Sequence, residues 1–274
     1  MKKFNSANLY LWAVFILLYF PIIYLVVYSF NAGDSMQGWQ GFSWVHYQEL
    51  FEDSHILVVF LDTLILALSS ALIATIVGTM GALLITNQRK TIVKNVLLSL
   101  NNVLLVSPDV IIGASFLILF TMIGFSLGFV SVLLAHVAFS IPIVVLMVLP
   151  RLREIGSTLV PAAQDLGANG WQVLSRVILP VISPGIMAGF FMAFTYSLDD
   201  FAVTFFVTGN GFTTLAVEIY SRARQGVSLE INALSALMFA ISLVLVLVYY
   251  VISSRPANRK IAKKADMLVP KEHG

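Results

Sequence analysis

Four aspartates stand inside long apolar stretches of the sequence: Asp62, Asp109, Asp199 and Asp200. No lysine or arginine lies between residues 95 and 150 or between residues 177 and 221. An ionised side chain within a membrane is costly, and as a rule it faces a cavity or the interior of a helix bundle. A path lined by such carboxylates favours a cationic solute over an anionic one.

Two of these carboxylates also have a purely local interpretation. Ser107, Pro108 and Asp109 form a helix-start triplet, with a capping serine, a proline at the first position and an acid in the first turn. The triplet predicts a break in the membrane segment that contains it. Asp109 therefore either caps its helix or lines the path, and Asp62 lies near enough to the outer end of its segment to reach water instead.

The adjacent acids Asp199 and Asp200 cannot both face one lumen equally, because neighbouring side chains on a helix point about 100° apart. We expect one carboxylate to line the path and the other to make a structural bond. Tyr196 and Phe201 flank the pair. Aromatic ring faces can hold an ammonium group, and packing between helices is the alternative role for each ring.

The composition places these residues in a membrane. Hydrophobic residues make up 59% of the 274-residue chain, charged residues make up 11%, and the mean hydropathy is +0.92. A soluble domain carries about 25% charged residues, so the polar surface here is too small to cover a globule of this size. Cysteine is absent, which excludes disulfides and thiolate sites.

Six stretches are long and apolar enough to span a bilayer as helices: residues 9–29, 56–85, 96–123, 129–149, 181–207 and 231–251.

The basic residues indicate which side of the membrane is cytoplasmic. Of the 16 Lys and Arg residues, only Arg222 and Arg224 fall in loops on the side opposite the chain termini. The others lie at Lys2 and Lys3, in the loops after the second and fourth spans, and in the tail after residue 251. We therefore predict an all-α polytopic membrane protein with a single transmembrane domain over residues 1–274 and both termini in the cytoplasm.

The cytoplasmic loop over residues 150–180 has a pattern typical of short helices. Pro161 suits the first position of a helix, and Gly167 can end that helix. Asn169 can cap a second helix that begins near Gly170, and Pro180 marks its end or a bend into the fifth span. The first helix is either a knob that inserts into a cytoplasmic partner or part of an amphipathic loop on the membrane surface.

This loop resembles the coupling loop in the permease subunits of type I ABC importers. That family has the pattern Glu-Ala-Ala, three residues, Gly, nine residues, Ile, one residue, Leu-Pro, and the matching positions here are Ala162, Ala163, Gly167, Leu179 and Pro180. Val177 stands in the Ile position, and Pro161 stands in the Glu position, so no contact of that glutamate carries over. The resemblance implies the MetI-like transmembrane fold and a docking loop for a separate ATPase: Pro161, Ala162, Ala163, Asp165, Leu166 and Gly167.

Further stretches resemble the permeases of spermidine/putrescine importers: residues 107–113, 197–209, 215–221 and 226–233. With the loop, the resemblance covers most of residues 100–240. Permeases for ferric ion and phosphonates share much of the Asp-Asp segment, so the same fold with another solute is an alternative. A stand-alone secondary transporter is a second alternative, although no internal repeat is visible in the sequence.

The resemblance implies one half of the translocation path of an ATP-driven polyamine importer that works by alternating access in the bacterial plasma membrane. It implies a second permease chain in a heterodimer, two ATP-binding cassette subunits that hold ATP and Mg, and an external polyamine-binding protein. We expect no cofactor, metal or nucleic acid on this chain. We also expect no enzyme activity, because the sequence has no phosphate-binding loop and no catalytic set. His136, in the fourth span, is interpreted as a helix-packing histidine.

Overall fold

The computed structural model describes residues 6–33, 35–156, 158–226 and 228–254, and most of these residues are helical. The basic residues at Lys2 and Lys3, and those after residue 254, lie outside the described residues. In chain order the helices are α1 (Ser6–Tyr28), α2 (Val45–Glu52), α3 (Ser54–Thr86), α4 (Thr91–Val106), α5 (Asp109–Met122), α6 (Phe129–Arg153), α7 (Leu159–Asp165), α8 (Gly170–Val173), α9 (Leu179–Asp199), α10 (Ala202–Val207), α11 (Leu215–Gln225) and α12 (Leu229–Ser254), with a π-helical turn, Leu174–Ile178, between α8 and α9.

The number of membrane segments agrees with the sequence analysis. Within the described ranges, five helical stretches are long and apolar enough to cross a membrane, and a bent pair of helices makes a sixth segment. The bent pair is α4 and α5, and the bend between them is 103°. The predicted fold class, all-α with six membrane segments, is therefore confirmed.

The centre of the bundle is formed by α3, α6 and α9. Helices in lipid associate through close packing, because apolar side chains gain little by leaving lipid for another helix. The contact surfaces accordingly carry glycines. A Cβ on Gly78 of α3 would lie 2.7 Å from the Cβ of Val144 on α6, and a Cβ on Gly189 of α9 would lie 3.2 Å from the Cα of that valine. A larger residue at Gly78 would force α3 and α6 apart.

The third segment is broken where the sequence predicts a break. α4 ends at Val106 and α5 begins at Asp109, with Ser107 and Pro108 in the extended conformation. Proline disfavours helical backbone at the residue before it, which explains the position of the break. The predicted cap is wrong: the Ser107 hydroxyl donates to the carbonyl of Val103 at 2.7 Å, because a serine at a helix end can bond back to the residue four positions earlier.

The fifth segment is also broken, and the prediction of one continuous span over residues 181–207 was wrong. α9 ends at Asp199, and Asp200 has extended backbone with φ −63° and ψ 121°. The chain then re-enters a helix at Ala202. Neither proline nor glycine occurs between residues 190 and 208, so no local backbone signal marks this break.

The two short helices beyond the breaks, α5 and α10, pack against each other. Gly113 of α5 makes this approach possible, because a Cβ there would lie 2.8 Å from Cδ2 of Phe206, 3.0 Å from Cα of Val203 and 3.1 Å from the carbonyl oxygen of Ala202. The second halves of the third and fifth segments therefore form one unit.

In the loop over residues 150–180, which is predicted to be cytoplasmic, α7 begins at Leu159, so Pro161 is the third residue of the helix and not the first. The missing N–H of Pro161 is harmless there, because the first N–H groups of a helix have no partner within the helix. Gly167 follows the helix with φ +83°, a conformation that favours glycine. Asn169 caps α8: its Oδ1 accepts from the Gln172 N–H at 2.9 Å, and the Gln172 side chain accepts from the Asn169 N–H.

The helix that starts at Gly170 continues without interruption to Asp199, over 30 residues. The expectation that Pro180 ends this helix was wrong, since Pro180 is the second residue of α9. The π-helical turn lies directly before this proline, and the N–H of Leu179 donates to the carbonyl of Leu174, five residues earlier. This change of hydrogen-bond register accommodates the N–H that proline lacks.

Candidate functional site

The Asp200 carboxylate is buried at the break in the fifth segment, with 8% of the residue exposed. Its Oδ1 accepts from the N–H of Val203 at 3.3 Å, and its Oδ2 accepts from the N–H and the hydroxyl of Thr204, each at 2.8 Å. These donors belong to the first turn of α10, whose N–H groups have no partner within the helix. Asp200 therefore supplies the structural bond that the sequence analysis assigned to one member of the acidic pair.

His136 of α6 is fully buried beside Asp200. Its Nδ1 lies 2.7 Å from the Ser197 hydroxyl, and its Nε2 lies 2.9 Å from the Thr204 hydroxyl and 3.4 Å from Oδ2 of Asp200. The Ser197 hydroxyl also accepts from Ser70 of α3 at 2.9 Å. We call these five residues the polar knot: Ser70, His136, Ser197, Asp200 and Thr204.

The polar knot is not predicted from the sequence, where His136 is interpreted as a helix-packing residue. The signal that could have found the knot is the presence of an ionisable ring in the middle of an apolar span, which is costly without a polar partner. The partner residue was already singled out as Asp200, which lies 64 positions further along the chain. Spacing along the sequence cannot show that the two side chains meet.

Asp199, in contrast, is exposed at the surface of the chain. Among the described residues, no other side chain forms a hydrogen bond or an ion pair with its carboxylate. The break explains the difference from Asp200, because Asp199 ends α9 whereas the backbone of Asp200 has already left the helix. The two acids therefore have separate environments, with Asp199 exposed and Asp200 buried.

Asp109 joins α5 to the last turn of α9, which ends at Asp199. The Tyr196 hydroxyl, three residues before Asp199, donates to Oδ1 of Asp109 at 2.7 Å. No side chain in the described residues caps α5, so the alternative in which Asp109 caps its own helix is not observed. The Tyr196 ring packs edge-on against Phe139, with centroids 4.9 Å apart.

Phe201 forms part of an aromatic group next to the acidic pair. Its ring lies 4.4 Å from that of Tyr220 and 5.4 Å from that of Phe205, between centroids. Arg224 places its guanidinium carbon 5.9 Å from the centre of the Tyr220 ring, a contact typical of a cation with an aromatic face. A cavity of about 420 Å³ adjoins these rings, and six residues line it: Phe205, Val217, Tyr220, Ser221, Arg224 and Gln225.

Asp62 is not part of this group. It is half-buried in the first third of α3, and no hydrogen bond or ion pair in the described part of the chain connects it to the other three aspartates. The structure therefore brings together Asp109, Tyr196, Asp199, Asp200 and Phe201 from the predicted path residues, and it leaves Asp62 apart. No group of three or more potential metal ligands occurs among the described residues.

On the side of the bundle that is predicted to be external, Arg222 holds three acids from three elements: Asp53 before α3, Glu218 of α11 and Glu230 of α12, at 3.0, 2.7 and 2.7 Å. Partial burial raises the pKa of Asp53, but hydrogen bonds from Arg222 and from the N–H groups of Ile56 and His55 outweigh this and hold the pKa below its ordinary value. Burial lowers the pKa of Arg222, but the hydrogen bonds and ion pairs with its acids raise the pKa by more than burial lowers it. The pKa of Arg222 therefore lies above its ordinary value. We call this group the outer arginine cluster.

The residues of the predicted coupling loop are exposed on the opposite side of the chain. Leu166, at the end of α7, is 90% exposed, and Trp171, in α8, is 72% exposed. A groove of about 380 Å³ runs between α7 and the helix that follows, lined by Ala163, Leu166, Gly167, Ala168, Gln172, Arg176 and Val177. Two large apolar side chains that project beside a groove are typical of a surface that packs into a partner.

The chain is similar in sequence to known transport proteins. The family described as binding-protein-dependent transport system inner membrane component matches residues 74–259. The spermidine/putrescine transport system permease protein PotC of Haemophilus influenzae is 37% identical over 93% of this chain and 99% of its own. The putrescine transport system permease protein PotI of Escherichia coli is 35% identical over 89% of this chain and 90% of its own.

Solved structures show the same fold at lower identity. A chain of a bacterial ABC transporter involved in the import of the acidic polysaccharide alginate superposes with a TM-score of 0.72 at 20% identity, covering 92% of this chain and 96% of its own. A chain of the MetNI methionine ABC transporter, in an inward-facing conformation, gives 0.62 at 17% identity, covering 73% of this chain and 97% of its own. These two structures support the MetI-like fold predicted from the sequence.

Proposed function

The chain belongs to the family of binding-protein-dependent transport system inner membrane components, and from that premise we propose that it is the permease subunit of an ATP-driven polyamine importer. One observation carries the choice of a cationic solute. The exposed carboxylate of Asp199 ends the helix whose Tyr196 holds a second carboxylate, Asp109, and residues 95–150 and 177–221 around them contain no lysine or arginine. The names of the relatives, which refer to spermidine and putrescine, point to the same class of cation.

The arrangement explains how a polyamine would cross this half of the path. Each ammonium group brings a positive charge, which offsets the repulsion between the carboxylates of Asp109 and Asp199 when it lies near them. The hydroxyl of Tyr196 fixes the orientation of the Asp109 carboxylate. The rings of Phe201 and Tyr220 offer aromatic faces on which the cation is attracted without forming a fixed ion pair. Exchangeable contacts of this kind suit transport better than one tight site, because the solute must also leave.

Transport by this chain requires partners. We propose a second permease chain that supplies the other half of the path, two ATP-binding cassette subunits that hold ATP and Mg, and an external binding protein that delivers the polyamine. The alginate transporter has been solved in complex with a ligand-bound periplasmic protein, which supports such an assembly. The positive-inside rule supports a location in the bacterial inner membrane with the termini and α7 on the cytoplasmic side.

We propose that α7 and the turn at Gly167 dock into the ATPase. The exposed side chains of Leu166 and Trp171 would fill a cleft in that subunit, and the groove beside them would receive a side chain from it. The coupling residues suggested by the sequence, Pro161 to Gly167, all lie on this projecting segment. A movement of this segment is transmitted to α9, because the two are joined through α8 and the π-helical turn.

The solute assignment is tested by uptake of labelled spermidine into cells that lack the gene and carry either the wild-type chain or Asp199→Asn. We expect uptake to return with the wild type, to be competed by excess putrescine and not by ferric ion or phosphonate, and to fall at least about tenfold in Asp199→Asn, as expected when one charge contact is lost. Glu49→Gln is the matched control, because it removes an exposed carboxylate outside the membrane segments. Competition by ferric ion or phosphonate alone would overturn the polyamine assignment.

The docking segment is tested by Gly167→Pro. Proline cannot adopt the φ of +83° found at this position, so the turn between α7 and α8 must change. We expect ATP hydrolysis by the assembled transporter to become independent of the loaded binding protein. Gly170→Ala is the control, because a Cβ there would meet nothing within 4 Å. Unchanged coupling in Gly167→Pro would exclude the docking role. Purification of the chain with no ATPase subunit bound to it would exclude that role as well.

A further inference from the structure

We propose that His136 is a positioning residue for transport: it holds the polar knot together, and the knot sets the break that presents Asp199 to the solute. The inference rests on the proposed function in taking Asp199 as a solute contact. His136 itself is fully buried, and its hydrogen bonds go to Ser197 and Thr204 and not to Asp199. Its effect on transport is therefore indirect, through Ser197 at the end of α9 and Thr204 at the start of α10.

The directions of the hydrogen bonds follow from the donors available. The single hydroxyl proton of Thr204 is donated to Asp200, so the Thr204 oxygen accepts from Nε2–H of His136. With its proton on Nε2, the imidazole must accept at Nδ1, where the Ser197 hydroxyl donates. Ser197 in turn accepts from Ser70 at 2.9 Å, and the carbonyl of Ala67 shares that hydroxyl proton at 3.1 Å. With a neutral imidazole, each hydrogen bond in the polar knot has one donor and one acceptor. The knot therefore satisfies its buried polar groups without an added ion.

The break needs such an external constraint because its own sequence does not enforce it. Residues 190–208 contain neither proline nor glycine, and a continuous helix would satisfy the same backbone groups internally. Asp200 holds the start of α10 through hydrogen bonds within its own segment, and its Oδ2 lies 3.4 Å from Nε2 of His136 on α6. His136 on α6 and Ser70 on α3 tie the two ends of the break to the packed centre of the bundle.

The position of Asp199 depends on this attachment. In the structure Asp200 points into the knot and Asp199 is exposed. Without the imidazole, Ser197 and Thr204 lose their common partner, and α9 can extend through Asp200 and rotate. Rotation of the helix end by one residue position is about 100°, which is enough to move the Asp199 carboxylate away from Asp109 and the aromatic group.

Labelling of a cysteine at position 199 tests the inference without any transported solute. The chain contains no cysteine, so Asp199→Cys gives one reactive thiol on this subunit, in an assembled transporter whose partner chains are also free of cysteine. We measure its rate of modification by a cationic methanethiosulfonate reagent, alone and combined with His136→Phe, His136→Gln or Ser140→Ala. Ser140 is the matched control: it is a buried residue one turn further along α6, and its hydroxyl has no partner among the described residues.

We expect His136→Phe to slow the labelling of the cysteine about tenfold, the equivalent of about one lost hydrogen bond. His136→Gln keeps an N–H donor for Thr204 and should restore at least half of the wild-type rate, and Ser140→Ala should not change it. Equal labelling in His136→Phe and the wild type would overturn the inference. If His136→Phe fails to assemble with the ATPase, we measure labelling in Ser197→Ala and in Thr204→Val instead. Each of these variants removes one hydrogen bond of the imidazole. Unchanged labelling in both refutes the positioning role.

Uptake in chains that keep Asp199 provides the second readout. We expect His136→Phe to raise the KM for spermidine more than it lowers the maximal rate, because a displaced contact group costs about one to two orders of magnitude in apparent affinity. A merely structural role predicts fewer assembled transporters, and hence a lower maximal rate with an unchanged KM. If the wild-type chain transports no polyamine while the labelling still depends on His136, the positioning role stands and the polyamine assignment fails.

Discussion

The third and fifth membrane segments are both interrupted, and the two interruptions are built differently. The third segment turns at Ser107 and Pro108, where the proline enforces extended backbone. The fifth segment turns at Asp200 with no proline or glycine nearby, and side chains from α3 and α6 hold the turn through the polar knot. The first break is encoded by neighbouring residues, and the second by residues that are distant in the sequence.

The difference has consequences for how each break responds to change. A break set by proline persists whatever surrounds it, because it follows from the covalent structure of that residue. A break set by buried hydrogen bonds depends on every member of the network, and the loss of one member leaves the others unsatisfied in a medium without water. The fifth segment should therefore be the more sensitive of the two, and it carries the exposed Asp199.

Removal of the Asp200 side chain should give the largest effect. Asp200→Ala leaves the N–H groups of Val203 and Thr204 and the Thr204 hydroxyl without their acceptor, at a cost of about 3 kcal/mol in the stability of the assembled transporter. The measurement is the thermal midpoint in detergent. Asp199→Ala is the control: it should abolish uptake and leave the midpoint unchanged. Similar midpoints for the two variants would mean that Asp200 does not hold the break.

Separation of the two short helices beyond the breaks should have the next largest effect. Gly113→Ala places a Cβ within 3.1 Å of the α10 backbone, and backbone cannot move aside as a flexible side chain can. We expect a loss of about 2 kcal/mol in thermal unfolding. Gly81→Ala in α3 is the matched control, since its nearest neighbour, Cγ2 of Val145, lies at an ordinary 3.6 Å. Equal midpoints would show that α5 and α10 are not held by this contact.

Replacement of the proline at the first break should cost less. Pro108→Ala removes the local constraint, but the contact between α5 and α10 remains and keeps α5 in place. The loss should be about 1 kcal/mol, mainly through the greater freedom of the unfolded chain. Thermal unfolding of the assembled transporter measures this loss, and Pro256→Ala in the tail provides a control at another proline. A loss as large as that of Asp200→Ala would remove the proposed contrast between the two breaks.

The outer arginine cluster provides a polar group away from both breaks, and it should give the smallest effect. Arg222→Gln should cost about 1 kcal/mol, because the cluster is partly exposed and screened by water. The lowered pKa of Asp53 means that its contribution is present above its unfolded pKa and is lost as the pH falls through the lower folded value.

The measurement is the thermal midpoint of wild type and Arg222→Gln as the pH is lowered from about 5 to 3, which brackets the ordinary pKa of an aspartate. The difference between the two proteins should shrink over this range. Arg224→Gln is the control, since Arg224 forms no ion pair among the described residues. A difference that grows towards low pH would contradict the assignment of Asp53 to the cluster.

The sequence predicted the parts of this molecule that depend on local patterns. Apolar stretches of about 20 residues predicted the spans, Pro108 predicted the first break, and Asn169 predicted the cap of α8. The second break and the polar knot could not be predicted this way, because they depend on contacts between residues such as Ser70 and Ser197, which are 127 positions apart. The roles proposed for Asp199 and for the coupling segment stay predictions.

The uninterrupted helix from Gly170 to Asp199 gives the chain a mechanical property. At 1.5 Å per residue, its 30 residues form a lever about 45 Å long. Its lower end adjoins the exposed Trp171, and its upper end is Asp199, directly before the second break. A tilt of about 10° around the lower end carries the upper end sideways by about 8 Å on this geometry. A small angular movement near Trp171 is thereby converted into a displacement larger than an amino group at the acidic pair.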